Sequence, residues 1–324
     1  MTSRTKSYLG ILLLFLAASV VLNWPGLNAP VYFDTQAKIW HNKLLFERGT
    51  ISSVIAIFPQ RPLVMASFYL NYLAAGMNPI WFRIGNLFML AVAASLLVLI
   101  INLILDLPGV FERVTREEKR GLSILLGAAF LVHPFQTFVT LYIWQRMALM
   151  SFLFYFAALF AYLATRTGRV GNRGVGYALS LVLFALAMLS KESAVTLPAV
   201  LVLLELGFFF ENGKDFCTRI LLFALVLLGT AFSMSFMQQA HGGQQFGSGI
   251  LGTLAQYYRE AGLSVWQVIL TQCRVAFTYL SALVLPLPGK IQLIGPQVIS
   301  SSFLAPATTL IAVLGCGALA AAGL

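Results

Sequence analysis

Charge is scarce in this chain of 324 residues: Asp, Glu, Lys and Arg make up 10% of it, against roughly 25% in a soluble domain. That scarcity excludes a soluble enzyme, a nucleic-acid reader and a disordered tail. Acid is scarcer still, with 11 Asp and Glu against 21 Lys and Arg, a formal charge of +10. Cys217, Cys273 and Cys316 are far apart and odd in number, so no disulfide framework is implied. His41, His133 and His241 show no metal-ligand spacing. There is no Walker A loop, no GxGxxG after a strand, no GxSxG and no CxxC pair.

What the chain has in abundance is hydrocarbon. Hydrophobic residues make up 59% of it, and the mean hydropathy is +0.86. Apolar runs lie near 8–22, 81–105, 121–138, 147–164, 175–190, 193–210, 220–237, 264–286 and 303–324. They are long enough for helices rather than barrel strands. The expected fold is therefore an all-α integral membrane bundle of about nine spans. Arg4 and Lys6 precede the first run, and no small-residue cleavage site follows it before Asn23-Trp24-Pro25-Gly26. The first run reads as an uncleaved span with a cytoplasmic N-terminus. The last run ends without a polar tail, which leads us to expect a fragment of a longer protein.

Pro62–Ala75 is the ambiguous segment. Its 14 residues reach ~21 Å at ~1.5 Å per residue, short of a ~30 Å hydrocarbon core. If it does not cross, the loops with Arg113, Arg116, Lys119 and Arg120, with Arg166, Arg169 and Arg173, and with Lys214 and Arg219 are cytoplasmic. The outer loops then keep only Arg146, Lys191 and Arg259, as the positive-inside rule prefers. On this reading residues 23–80 form one long outer loop resting on the membrane. Within it, Asp34–Arg48 is expected as an amphipathic helix, with Ile39, Leu44 and Leu45 alternating with Lys38, His41, Lys43 and Glu47. The segments His241–Gly249 and Pro286–Pro306 read as loops from their Gly, Pro and Ser content.

Ionisable residues at membrane depth are costly and are functional candidates by default. Each also has an ordinary explanation. Asp34, just after the first span, is either a helix cap or a general base for an acceptor hydroxyl. Arg61 and Arg146 are either headgroup anchors or phosphate ligands, because guanidinium grips phosphate through paired hydrogen bonds. Lys191 either pairs locally with Glu192 or serves as a point charge for phosphate. Arg274 lies inside an apolar run and needs a partner or a wet cavity. His133, before Pro134, reads as a turn histidine.

Several strings together resemble one family. They are Phe33-Asp34, Gln60-Arg61-Pro62-Leu63 with Leu70-Asn71-Tyr72, Asn78-Pro79 and Asn86-Leu87. Further along come Val132-His133-Pro134, Ile143-Trp144-Gln145-Arg146, Leu189-Ser190-Lys191-Glu192-Ser193 with Thr196-Leu197-Pro198, and Leu270-Thr271-Gln272-Cys273-Arg274. Leu285-Pro286-Leu287-Pro288 and Leu304-Ala305-Pro306 close the series. In order and spacing they resemble GT-C-type glycosyltransferases, above all the transmembrane-and-TPR O-mannosyltransferases and their bacterial relatives.

The resemblance implies a GT-C-like bundle over 1–324, truncated before a TPR region, with the catalytic acid in its long first outer loop at 23–80. It implies transfer of a sugar from a polyprenyl-phosphate or diphosphate carrier to a protein, lipid or glycan acceptor outside the cytoplasm. Asp34 falls on the catalytic acid position. Arg61, Arg146, Lys191 and Arg274 are the phosphate candidates, with Gln60, His133, Glu192 and Gln272 in support. Relatives often carry two adjacent acids, whereas this chain has Thr35 in the second place. No metal site is therefore assigned; a divalent metal is conceivable but has no support in the sequence. Membrane lipids are expected partners and nucleic acid is not, and a bacterial inner membrane with the site facing the periplasm or exterior is the expected location. A transporter or lipid flippase, or a non-catalytic scaffold for a missing TPR domain, is the competing reading.

Overall fold

A computed structural model describes residues 3–209, 213–240, 258, 260–287 and 298–322. Side chains are described throughout except at 3–6, 213–215, 230–240, 320 and 322. The expected loop His241–Gly249, Arg259, the side chain of Lys214 and residues 288–297 lie outside this set. The chain divides into two compact units, Met1–Gly243 and Gln244–Leu324. Among the described residues the structure is helical with no named β-strand.

The first unit begins with α1 (Ser3–Asn23). An outer segment of short elements follows: a single turn α2 (Phe33–Thr35), α3 (Lys43–Arg48), α4 (Ile51–Ile57) and α5 (Pro62–Ala75). The long helix α6 (Pro79–Leu105) starts where Asn78 caps the free amide of Ile80 and Pro79 presets the first turn. Next come α7 (Arg116–Val132), α8 (Phe135–Leu141), α9 (Arg146–Arg166), α10 (Arg173–Ser190), α11 (Leu197–Leu204) and α12 (Gly213–Ala240). The second unit holds α13 (Val265–Val284) and α14 (Thr308–Ala322).

Among the described residues six helices can cross a membrane by length and composition, or seven if α7 and α8 count as one span bent by 62°. The bend falls at His133-Pro134, because proline disfavours helical geometry in the residue before it and supplies no amide to continue the helix. The expected runs 220–237 and 303–324 fall in α12 and α14, whose side chains are described only in part; within the described residues they hold the apolar segments Phe216–Gly229 and Thr308–Leu319. The run 193–210 is not one regular helix: a 3-10 turn (Glu192–Thr196) leads into α11, which closes in a π-turn (Glu205–Phe209).

The outer segment also departs from expectation. Asp34–Arg48 is not one amphipathic helix. A π-turn (Gln36–Trp40) follows α2, and the chain breaks at His41-Asn42, where the Asn42 amide donates back to Ala37 O and Lys38 O. Ile39 and Phe46 are buried while Leu44 and Leu45 are exposed, so the break turns the apolar face by part of a turn.

Three apolar cores hold the first unit together. One packs Phe15 of α1 with Leu90 and Val98 of α6 and Leu131 of α7. A second packs Tyr162, Phe184 and Phe223 from α9, α10 and α12. The third gathers Phe46, Phe68, Phe82 and Trp144 beneath the outer segment. Because lipid tails are as apolar as leucine, close contact rather than hydrophobicity joins spans. Gly176 shows this: any side chain there would collide with Thr165, where α10 lies on α9.

The two ends of this unit differ. At one end, the buried guanidinium of Arg83 stitches α6 to the outer segment. Its NH1 donates to Leu27 O at 2.7 Å, NH2 to Pro30 O at 3.1 Å and Nε to Leu141 O at 3.0 Å. At the other end, Arg120 donates to Ser7, Lys119 to Leu105 O, and Arg169 pairs with Asp106 at 2.6 Å. There too Glu205, fully buried, accepts from Tyr162, Arg166 and Arg219 at 2.6, 2.8 and 3.0 Å. We call these the Asp34 end and the Arg120 end.

Candidate functional site

Asp34 is fixed from behind. Its backbone N–H donates to the Tyr142 hydroxyl at 3.2 Å, and that hydroxyl donates to Asp34 Oδ2 at 3.1 Å. The ring of Tyr142 stacks on Tyr32, centroids 5.3 Å apart. Thr35 is buried, and its hydroxyl accepts the Trp144 N–H at 3.1 Å. Thr35 thereby anchors the Tyr142-Ile143-Trp144 turn. Phe33 adopts φ 52°, a left-handed conformation that is strained for a bulky residue. Asp34 itself is exposed, with Oδ2 held by the Tyr142 hydroxyl. Burial pushes the Tyr142 hydroxyl up to about 12, with the adjacent Asp34 contributing in both directions. It stays a neutral donor at neutral pH.

Aromatic contacts lead from this carboxylate to a group of cations. Trp144 meets Phe58 edge-on at 5.5 Å. Over the Phe58 ring lie both Lys38, at 5.8 Å, and Arg61, at 5.3 Å. Arg61 NH2 reaches both oxygens of Glu192, at 2.9 and 3.0 Å, and NH1 points at Met147 Sδ. Its Nε and the neighbouring Gln60 Oε1 are buried without a hydrogen-bond partner. Lys191 is half-buried and forms no ion pair among the described residues. Burial pulls its ammonium below the usual lysine range, Arg61 adds to this, and Glu192 opposes it. The structure thus brings Arg61, Lys191 and Glu192 together, and the acid of the local Lys–Glu pair belongs instead to Arg61.

Arg146, by contrast, is built into the fold. It is 1% exposed. Its Nε donates to Asn86 Oδ1 at 2.8 Å, NH1 to Ser67 O at 3.2 Å, and NH2 to Asn71 Oδ1 at 2.7 Å and Phe82 O at 2.8 Å. The guanidinium also lies 4.6 Å from the Phe68 ring centre. It joins α5, the second turn of α6 and the start of α9 at one level, which holds α5 alongside the Asp34 end. Beside it a cavity of about 580 Å³ opens between α5 and α6, with walls of Leu70, Ala74, Trp81, Ile84 and Met89. Gly85 lets Arg146 and Asn71 approach: a Cβ there would stand 3.1 Å from each.

The remaining candidates are placed as follows. His133 sits at the α7–α8 break, where its Nδ1 accepts the Phe135 N–H at 3.2 Å and its ring stacks on Phe135. Gln272 and Arg274 belong to the second unit. Gln272 is exposed, and Arg274 donates to Val298 O at 2.7 Å and Ser300 Oγ at 3.3 Å. Among the described residues no group of three or more His, Cys, Asp or Glu could hold a metal ion. Sequence reasoning did not find Tyr142, Arg83, or Lys38 as part of the site. Arg83, a charge inside an apolar run, carried the available signal; Tyr142 is 108 residues from Asp34 and carried none.

Comparison with known proteins gives one consistent likeness. Over 136 residues, 42% of this chain, it is 32% identical to the protein O-mannosyl-transferase Tmtc1 of Drosophila melanogaster. It is 26% identical over 145 residues to human protein O-mannosyl-transferase TMTC3, and 28% identical over 185 residues, 53% of this chain, to human TMTC4. The matched stretches span 14%, 14% and 24% of those three proteins. No family profile and no solved structure matches the chain. Over the matched stretch the chain is O-mannosyltransferase-like, in an all-α multi-pass membrane fold.

Proposed function

We propose that this O-mannosyltransferase-like membrane chain is a glycosyltransferase, moving a sugar from a polyprenyl-phosphate carrier to a hydroxyl on the non-cytoplasmic side. The observation that carries this reading is the Asp34 end itself: an exposed carboxylate fixed by Tyr142, and a cation pair, Arg61 and Lys191, in the same outer segment and loop set. The names of the similar proteins supply the reaction class and make a protein hydroxyl and mannose the first acceptor and sugar to test.

The chemistry needs few groups. The acceptor oxygen attacks the anomeric carbon as Asp34 takes its proton. A new C–O bond forms, and the anomeric C–O bond to phosphate breaks with its electron pair left on phosphate. The result is inversion. Arg61 and Lys191 stabilise the charge that develops there, and so no general acid is required. Gln60 Oε1 and Arg61 Nε, buried and unpaired, offer an acceptor and a donor to the headgroup. Arg146 acts by positioning α5 and α6, and the apolar cavity beside it suits a length of carrier chain. Arg274, in the second unit, is kept as a further phosphate candidate. The cations gathered at the Arg120 end favour a cytoplasmic location for that end and the opposite face for Asp34.

The test is sugar transfer by the reconstituted chain from a panel of polyprenyl-phosphate sugars, comparing wild type with Asp34→Asn. Loss of transfer in a folded variant that still binds donor supports Asp34 as the base. Transfer that survives the substitution removes Asp34 from the mechanism.

A further inference from the structure

A second cavity lies at the opposite end of α6, whose 27 residues span ~40 Å. Its volume is about 460 Å³, and its lining is largely polar: Tyr8 from α1, Asp106 after α6, Arg116, Glu117 and Arg120 from the first turns of α7, and Arg169 after α9. Nothing in a transfer reaction at Asp34 uses it. We propose that it seats the headgroup of an anionic glycerophospholipid, whose phosphodiester charge no ammonium offsets.

Three observations carry this. The first is depth. Every lining group sits at the end of an apolar helix, which is where headgroups lie, and Tyr8 is an aromatic of the kind found at that level. The second is supply. Arg116 makes no ion pair or side-chain hydrogen bond among the described residues. Arg120 spends one nitrogen on Ser7 and lies 5.9 Å from the Tyr8 ring centre, leaving its other donors open. Arg169 is held by Asp106 and faces the same space. A guanidinium presents paired donors that match two phosphate oxygens. The third is charge balance. Three guanidiniums and two carboxylates leave one positive charge in excess. That suits a singly charged phosphodiester; a dianionic free phosphate would meet Asp106 and Glu117 at close range.

Cations at a cytoplasmic helix end need no ligand to set topology, so the test must separate binding from orientation. The whole chain, in nanodiscs of phosphatidylglycerol mixed with phosphatidylcholine, is released into the gas phase and its retained lipids are weighed by native mass spectrometry. Wild type is expected to retain one phosphatidylglycerol in preference to phosphatidylcholine. Arg116→Gln with Arg120→Gln should weaken that retention roughly thirtyfold, at about fivefold per cation near a headgroup surface. Both side chains are exposed, so the variant should fold; should it not, Glu117→Gln, which removes one repulsive carboxylate, is expected to strengthen retention instead. Equal retention of the two lipids by wild type overturns the proposal, as does unchanged phosphatidylglycerol retention in the double variant. Displacement of the lipid by millimolar inorganic phosphate would overturn the choice of a phosphodiester.

Discussion

Removing the Arg146 guanidinium tests whether this charge holds helices or holds substrate. Take Arg146→Met, which keeps the bulk and deletes the donors. Four acceptors lose a partner, but not equally. Ser67 O and Phe82 O lie inside α-helices and keep their own i+4 amide. Asn71 Oδ1 and Asn86 Oδ1 have no such reserve, and Asn86 is fully buried. Two orphaned amide oxygens cost about 1–3 kcal/mol each, and the lost contact with the Phe68 ring adds up to ~2 kcal/mol. Part of this is returned because a charge no longer has to be kept out of water. The net loss should be about 3–5 kcal/mol, a fall in Tm of roughly 6–20 °C for a unit of this size. The assay is thermal unfolding in detergent followed by tryptophan fluorescence, since Trp144 lies two residues away. Replacing Asn71 by Leu in the same background should restore part of the loss, because one orphaned acceptor goes with it, whereas Asn86 must stay because its side-chain amide donates to Thr140 O. If Arg146→Met unfolds within about 2 °C of wild type yet fails to bind donor lipid, the guanidinium contacts ligand and the positioning role is wrong.

Two further predictions concern the residues around Asp34. Glu192 is 65% exposed in its pair with Arg61, so Glu192→Gln should change stability by less than ~1 kcal/mol; it should also tighten binding of a polyprenyl phosphate several-fold by freeing Arg61, and a titration showing weaker binding would count against Arg61 as a phosphate ligand. Tyr142 titrates at about 12 instead of 10.0, so the folded state holds its proton where the unfolded state loses it. Its contribution is full below pH 10 and is lost as pH climbs through about 12. Tyr142→Phe should remove one late-titrating tyrosinate from the alkaline absorbance curve and flatten the fall in Tm across that window; an unchanged curve would mean the hydroxyl is not held as described.

Much of the bundle was legible because long apolar runs leave few alternatives in lipid. The break at Lys191 was legible too, as polar residues wedged between two runs. The length of Pro62–Ala75 marked it as too short for an ordinary span, and Arg146, at the start of α9, ties it to the first two turns of α6. What failed was local. Asp34–Arg48 has a helical alternation, but Asn42 can bond backward to two carbonyls and divides it. Side-chain partners across the chain were out of reach: no periodicity links Asp34 to Tyr142, or Arg61 to Glu192, which are 131 positions apart. Lys38 looked like one more charge on a wet face until Phe58 placed it beside Arg61.

The backbone at Phe33 carries a consequence of another kind. A left-handed conformation costs a bulky side chain on the order of 1–3 kcal/mol, and glycine or asparagine would escape most of that. Selection for robustness alone would therefore replace Phe33, and a screen for heat-tolerant variants should return small residues at that position. Such variants would also free the peptide bond before Asp34 to rotate, and the carboxylate would lose its fixed bearing on Tyr142. Position 33 is thus where durability and the fixed bearing of Asp34 pull against each other, and an engineer who wants both should stabilise this chain elsewhere.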